Sequence, residues 1–192
     1  MLLIGLFDFE ITVENVVMIG SLSEYVDLCV ACLKLKHFKC DWKKFPGLSV
    51  QLKSPLATFL LFKTGRFVCT GTKTKTKAEQ AVANFLGLLK AEGLVSNKCT
   101  FECCVKHLVA SVNMAGASVS LEQFNSEFDT IYEPDKFPEI ISKMDESKIA
   151  FLVFLTGKIV CSGVADEEGL KKAVKEFYDQ LVEKKSEKLW NL

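Results

Sequence analysis

Two stretches 92 residues apart, FLLFKTGRFVCTGTK at 59–73 and FLVFLTGKIVCSGVA at 151–165, each join an apolar run to a Thr-Gly turn, a cation and Val-Cys-Thr/Ser-Gly. In the second strand of each copy, one side-chain parity holds Arg66, Val68 and Thr70, or Lys158, Val160 and Ser162. The other parity holds Phe67 and Cys69, or Ile159 and Cys161, and reads as core. A bare valine between a cation and a small hydroxyl, repeated, suits a surface that binds. Other residues with chemical potential are sparse. Cys29-x2-Cys32-x4-His37-x2-Cys40 approaches a zinc-knuckle spacing. Val26, Cys29, Val30 and Leu33 fall on one helical stripe, however, so Cys29 reads as a core residue and the thiols as structural. His37 and His107 lie far apart without a nucleophile or paired carboxylates, and no G-x-x-x-x-G-K-[ST] loop occurs. No enzyme, metal site or cofactor is expected.

The elements that must position these residues are duplicated. Residues 45–86 align with 137–178 without a gap, and 13 of 42 positions are identical, among them Phe45/Phe137, Phe62/Phe154, Gly65/Gly157 and Phe85/Phe177. A unit of about 90 residues is too long for a solenoid repeat. Each unit opens with a strand (FEITVENVVMIG; FECCVKHLVASV) and a short helix (LSEYVDLCVACLK; SLEQFNSEF). Three strands follow, at 47–53, 57–63 and 66–71, and again at 139–144, 149–155 and 158–163, with Thr-Gly at each hairpin turn. A closing helix carries Ala78, Ala81, Val82, Phe85, Leu86 and Leu89 in the first unit. The second has Leu170, Ala173, Val174, Phe177, Tyr178, Leu181 and Val182. One apolar stripe per helix covers one sheet face. The other face is normally polar, yet here it carries Leu60, Phe62, Val68 and Thr70, or Leu152, Phe154, Val160 and Ser162. An uncovered apolar face of this kind marks a binding surface.

The bulk composition fits this reading. The chain has 192 residues, 49% hydrophobic and 25% charged, with a formal net charge of zero. The whole molecule therefore has no general attraction for nucleic acid or anionic membrane. Residues 1–96 hold 12 basic and 8 acidic side chains and residues 97–192 hold 12 and 16, so the halves carry +4 and −4. No apolar stretch approaches 18 residues and the N-terminal MLLIGLF is short for a signal segment, so a soluble intracellular chain is expected, its eight cysteines reduced and mostly buried.

FPGL…SPLATFLLFKTGRFVCTGTK and YEPDKFPEI…IAFLVFLTGKIVCSG, in tandem, resemble the core of the TATA-box-binding protein family over most of residues 9–182. The resemblance implies an α+β, TBP-like saddle of two pseudo-symmetric repeats, 1–96 and 97–192. Its curved antiparallel sheet would have ten strands, with four helices on the convex face. The resemblance further implies a general transcription initiation factor that bends A·T-rich promoter DNA through the minor groove. By motif position the DNA-intercalating wedges would be Phe45 with Phe62 and Phe137 with Phe154, both pairs 17 residues apart. Asn15, Val17, Val68, Thr70, His107, Val109, Val160 and Ser162 would line the minor groove. Lys44, Thr64, Arg66, Lys73, Lys143, Thr156 and Lys158 would meet phosphates. Glu133 and Asp135 would dock a transcription factor IIB-like partner. Transcription factor IIA or other regulators, and a second copy through the concave face, are further implied partners; a membrane is not. Such a factor acts in the nucleus of a eukaryote, or in the cytoplasm of an archaeon or a viral factory.

The pattern also departs from the family. His107 stands in place of the second groove asparagine, Gln51 and Leu56 replace phosphate-binding arginines, and Ala165 replaces a lysine. KCDWKK at 39–44 lacks the Tyr-x-Pro that YEPDK keeps at 132–136, and AEQAVANFLGLLKAEG lacks a basic outer face. These losses keep open an alternative, a divergent relative acting mainly as a protein-interaction module.

Overall fold

A computed structural model describes residues 10–35, 46–113, 118–119, 124, 130–131, 139–143, 148–183 and 190–191. The chain divides into two compact units, Asn15–His107 and Met1–Glu14 with Leu108–Leu192.

The first unit contains most of β1 (Glu10–Leu22), then α1 (Leu28–Lys34), β2 (Leu48–Lys53), β3 (Leu56–Leu61), β4 (Arg66–Thr72), α2 (Lys75–Ala91) and the start of β5 (Phe101–Asn113). Its strands run in the order β2-β3-β4-β1, antiparallel throughout. The period-2 alternation of the sequence sets the layering. Leu48, Val50, Ala57, Phe59, Leu61, Phe67 and Cys69 are buried on one face, and α2 buries Ala78, Ala81, Val82, Phe85, Leu86 and Leu89. Phe85 stacks on Phe59 at 4.1 Å between ring centroids and meets Phe67 edge-on at 6.3 Å. The helix starts at Lys75, earlier than its first apolar residue, because the Thr74 side chain accepts the Lys77 N–H at 3.2 Å. Gly87 is exposed within α2, with nothing inside 4 Å of the position a Cβ would occupy. Gly87→Ala is therefore expected to stabilise the protein by about 0.5–1 kcal/mol, read as a higher urea midpoint at unchanged slope.

The first short helix departs from expectation. β1 runs on to Leu22, and α1 begins only at Leu28, where the Asp27 carboxylate accepts the Cys29 and Val30 N–H groups at 2.9 and 3.1 Å. That late start rotates the buried stripe to Leu28, Ala31 and Leu35, leaving Cys29, Val30 and Leu33 exposed. Cys29 is thus a surface residue and not part of the core. Cys32 is disulfide-bonded, so its thiol is neither free nor a metal ligand. His37 and Cys40 also lie outside the described residues.

The second unit contains the rest of β5, then β6 (Ser118–Val119), β7 (Thr130–Ile131), β8 (Ile140–Lys143), β9 (Ala150–Val153), β10 (Lys158–Val164), α3 (Glu167–Glu183) and β11 (Trp190–Asn191). Its strands run β5-β10-β9-β8-β7, and β11 pairs with β6. The Asp166 carboxylate accepts the Gly169 N–H at 2.7 Å at the start of α3, whose Leu170, Ala173, Val174 and Phe177 are buried. Phe177 stacks on Phe151 at 4.1 Å and lies 6.4 Å from Phe124. All eight strands read from the two repeats are present, as are both closing helices. Of the fourth helix, SLEQFNSEF, only Phe124 falls within the described residues, where it is helical and buried.

Cys69 and Cys161 occupy equivalent core positions, and burial pushes both thiols up to about 11. In the unfolded chain a cysteine ionises at about 8.5. The folded pKa values are the higher, so the stability they contribute is full below pH 8.5 and lost as pH rises to about 11. The urea midpoint is expected to fall across that window, less steeply for Cys69→Ala/Cys161→Ala. Alkylation at pH 8 is expected at exposed Cys29 and Cys104 before either core thiol.

Candidate nucleic-acid interface

Each unit carries a candidate binding face on one hairpin, and the two hairpins have the same register. In the first unit Thr58, Phe59, Leu60 and Leu61 face Thr70, Cys69, Val68 and Phe67. Shifted by 92, Ala150, Phe151, Leu152 and Val153 face Ser162, Cys161, Val160 and Ile159. Pairing with the opening strand repeats as well. Met18, Ile19, Gly20 and Ser21 meet Cys69, Val68, Phe67 and Arg66, as Ala110, Ser111, Val112 and Asn113 meet Cys161, Val160, Ile159 and Lys158. The register slips at the same place in both, between Val16 and Met18 and between Ser162 and Val164. A slip of one residue would exchange the buried and open faces of a strand. The duplication in the sequence is therefore a duplication of which side chains face outward.

The hairpin turns place the aromatic and cationic residues. Phe62 N–H donates to the Arg66 carbonyl at 2.9 Å and Gly65 N–H to the Phe62 carbonyl at 2.9 Å. Phe154, Lys158 and Gly157 repeat this at 3.0 and 2.9 Å. Gly65 and Gly157 have φ of 79° and 78°, in the left-handed region the turn requires. Each Phe thus ends the third strand beside the cation that opens the fourth. Phe62 and Phe154 are half-buried; Thr64, Arg66, Thr156 and Lys158 are exposed. Lys73, after β4, and Lys143, at the end of β8, are exposed too. Their neighbours Val16, Met18, Phe59, Leu61, Phe67, Cys69, Leu108, Ala110, Phe151, Val153, Ile159 and Cys161 are buried, whereas Val17, Leu60, Val68, Thr70, Val109, Leu152, Val160 and Ser162 are only half-buried. His107, on β5, is likewise half-buried. Lys44, Phe45, Phe137, Glu133 and Asp135 lie outside the described residues.

In the first unit a groove of about 1480 Å³ lies beside the hairpin turn, where Ile19, Phe62, Arg66 and Val68 of this face meet residues 25–29 and Phe67. Ile19, 36% exposed and opposite Val68, belongs to the face although sequence reasoning passed over it. Its position two residues beyond Val17 was the available signal. The polar centre of the unit is Asn15. The Gly71 N–H donates to Asn15 Oδ1 at 2.8 Å, and the Thr70 hydroxyl lies 2.8 Å from Nδ2 and 3.2 Å from Oδ1. A backbone N–H requires an acceptor, so this bond fixes the amide orientation. Among the departures from the sequence pattern, Gln51, Leu56 and Ala165 are all exposed, Leu56 at 60%. The face offers apolar surface, small hydroxyls and rim cations, and no cluster of metal-ligating side chains occurs among the described residues.

Comparison with known proteins agrees with this architecture. The family profile described as "Transcription factor TFIID (or TATA-binding protein, TBP)" matches residues 10–91 and 102–184, one segment in each repeat. The TATA-box-binding protein of Sulfolobus acidocaldarius is 35% identical over 176 residues, covering 90% of this chain and 87% of the relative. That of Methanocaldococcus jannaschii is 31% identical over 177 residues, covering 91% and 94%. The solved structure "Methanococcus jannaschii TBP" superposes with a TM-score of 0.77 at 31% identity, covering 91% of this chain and 99% of that one. With both repeats matched in sequence and in fold, the chain belongs to the TATA-box-binding protein family, whose members are DNA-binding transcription factors and not enzymes.

Proposed function

We propose that this protein is a general transcription initiation factor that binds A·T-rich, TATA-like promoter DNA in the minor groove, bends it, and nucleates a pre-initiation complex. The observation that carries the reading is the half-exposed apolar face, repeated in one register, with a cation and a small hydroxyl flanking a valine on β4 and again on β10. A·T pairs present only acceptors in the minor groove, while a G·C pair adds the guanine amine. Val17, Val68, Val109 and Val160 accept the first and exclude the second by sterics and desolvation, with Thr70, Ser162, Asn15 and His107 as the polar contacts. Phe62 and Phe154, with Phe45 and Phe137, act as wedges between base steps. Unstacking costs a few kcal/mol per step, offset by the wider contact that a bent duplex makes. Thr64, Arg66, Lys73, Lys143, Thr156 and Lys158, with Lys44, meet the flanking phosphates and set position rather than sequence. Exposed Gln51, Leu56 and Ala165 supply no phosphate charge, so the salt dependence is shallower than a full set of cations would give. Glu133 and Asp135 dock a transcription factor IIB-like protein, and the archaeal source of the similar proteins favours action in the cytoplasm.

A mobility-shift titration at low salt with a TATA duplex and a G·C-substituted control tests this. The expected result is a shift with the TATA duplex alone, with circularly permuted probes reporting a bend. No shift with either duplex would remove the DNA-binding role and leave a protein-interaction module.

A further inference from the structure

The two repeats differ at the position that Asn15 occupies in the first, and that difference has a chemical consequence. Asn15 Oδ1 accepts the Gly71 N–H at 2.8 Å and has the Thr70 hydroxyl at 3.2 Å, so its acceptor capacity is used inside the protein. Nδ2 spends one hydrogen on Thr70 Oγ1 at 2.8 Å and keeps the other. The amide can therefore only donate outward. A donor fits adenine N3 and thymine O2, but set against a guanine amine it leaves two donors facing each other without an acceptor.

Shifted by 92 residues, the Asn15 position becomes His107, half-buried on β5 directly before Leu108, the residue that pairs with Val164. An imidazole has no fixed polarity of this kind. In the neutral ring one nitrogen donates and the other accepts, and the tautomer follows the partner. The same side chain can thus donate to an A·T pair or accept from a guanine amine.

We propose that His107 makes its half of the DNA site tolerant of a central G·C pair that the Asn15 half rejects. The proposal rests on the minor-groove reading above. It makes a pseudo-symmetric protein directional. On a palindromic A·T core carrying one central G·C pair, the protein turns so that His107 covers the substituted pair.

The test uses the full chain and fluorescence anisotropy with three palindrome-derived duplexes. One is all A·T, one has G·C at a single central position, and one has G·C at both symmetry-related central positions. The wild type is expected to bind the first two within about threefold and the third at least about tenfold more weakly, the usual cost of one mismatched pair. His107→Asn should bind the singly substituted duplex at least about tenfold more weakly than it binds the all-A·T duplex, whatever its absolute affinity. The reciprocal Asn15→His should gain affinity for the doubly substituted one. A wild type that loses tenfold to a single G·C pair overturns the proposal. So does a folded His107→Asn protein with unchanged tolerance; should that variant misfold, Asn15→His decides. Failure to bind even the all-A·T duplex removes the parent reading itself, a distinct outcome.

Discussion

Phe154→Ala is expected to weaken binding to a TATA duplex by about 10–150-fold, and Phe62→Ala by a similar factor. Burying a Phe side chain is worth about 1.5–3 kcal/mol, and each 1.4 kcal/mol is about tenfold in affinity. Both rings are half-buried at the end of the third strand of their hairpin, on the face opposite the helix-covered core. Truncation should therefore change the unfolding midpoint little while reducing the bend seen with permuted probes. The double variant, which keeps Phe45 and Phe137, is expected to bind more weakly still and to bend the duplex less, while the groove valines preserve its preference for A·T pairs. A double variant that bends DNA as the wild type does would remove the wedge assignment and leave those rings as ordinary packing.

The largest effect on stability is expected at Phe85 and Phe177. Each is buried and stacked at 4.1 Å on the Phe of its own third strand, Phe59 or Phe151. Phe85→Ala should cost about 3–5 kcal/mol, the transfer free energy of the ring plus the cavity it leaves. Phe177→Ala should cost about the same. Urea unfolding followed by circular dichroism measures both. Phe85→Leu, which keeps much of the volume but not the stack, should fall between Phe85→Ala and the wild type. If Phe85→Leu proved as damaging as Phe85→Ala, ring stacking rather than cavity volume would dominate this core.

The hairpins could be read because a period of two, a Thr-Gly turn and a second copy all point to one register. Phe59 and Phe151 then had to be inside and Leu60 and Leu152 outside. The closing helices were equally readable from one apolar stripe each. α1 was misread because the apolar residues alone do not fix where the helix begins, and only the hydrogen bonds to Cys29 and Val30 show that Asp27 is the cap. With that phase unknown, Cys29 fell on the wrong side of the helix. The disulfide at Cys32 was also missed, since the expectation of an intracellular chain carried reduced thiols with it. The site was legible as residue types at matched positions. The bond between Asn15 and the Gly71 backbone, 56 residues apart, was not, because no local pattern encodes it.

The paired registers divide the sheet into a side packed under a closing helix and a side left open. Phe59/Phe151, Cys69/Cys161 and Phe85/Phe177 are the same in both copies and all buried. Other buried pairs, such as Phe67/Ile159 and Met18/Ala110, exchange one apolar side chain for another, whereas Thr70/Ser162 and Asn15/His107 exchange polar groups at half-exposed positions. Recognition in this molecule is accordingly close to a detachable property. New lettering on the open side changes what is read, and the frame that carries it need not be rebuilt.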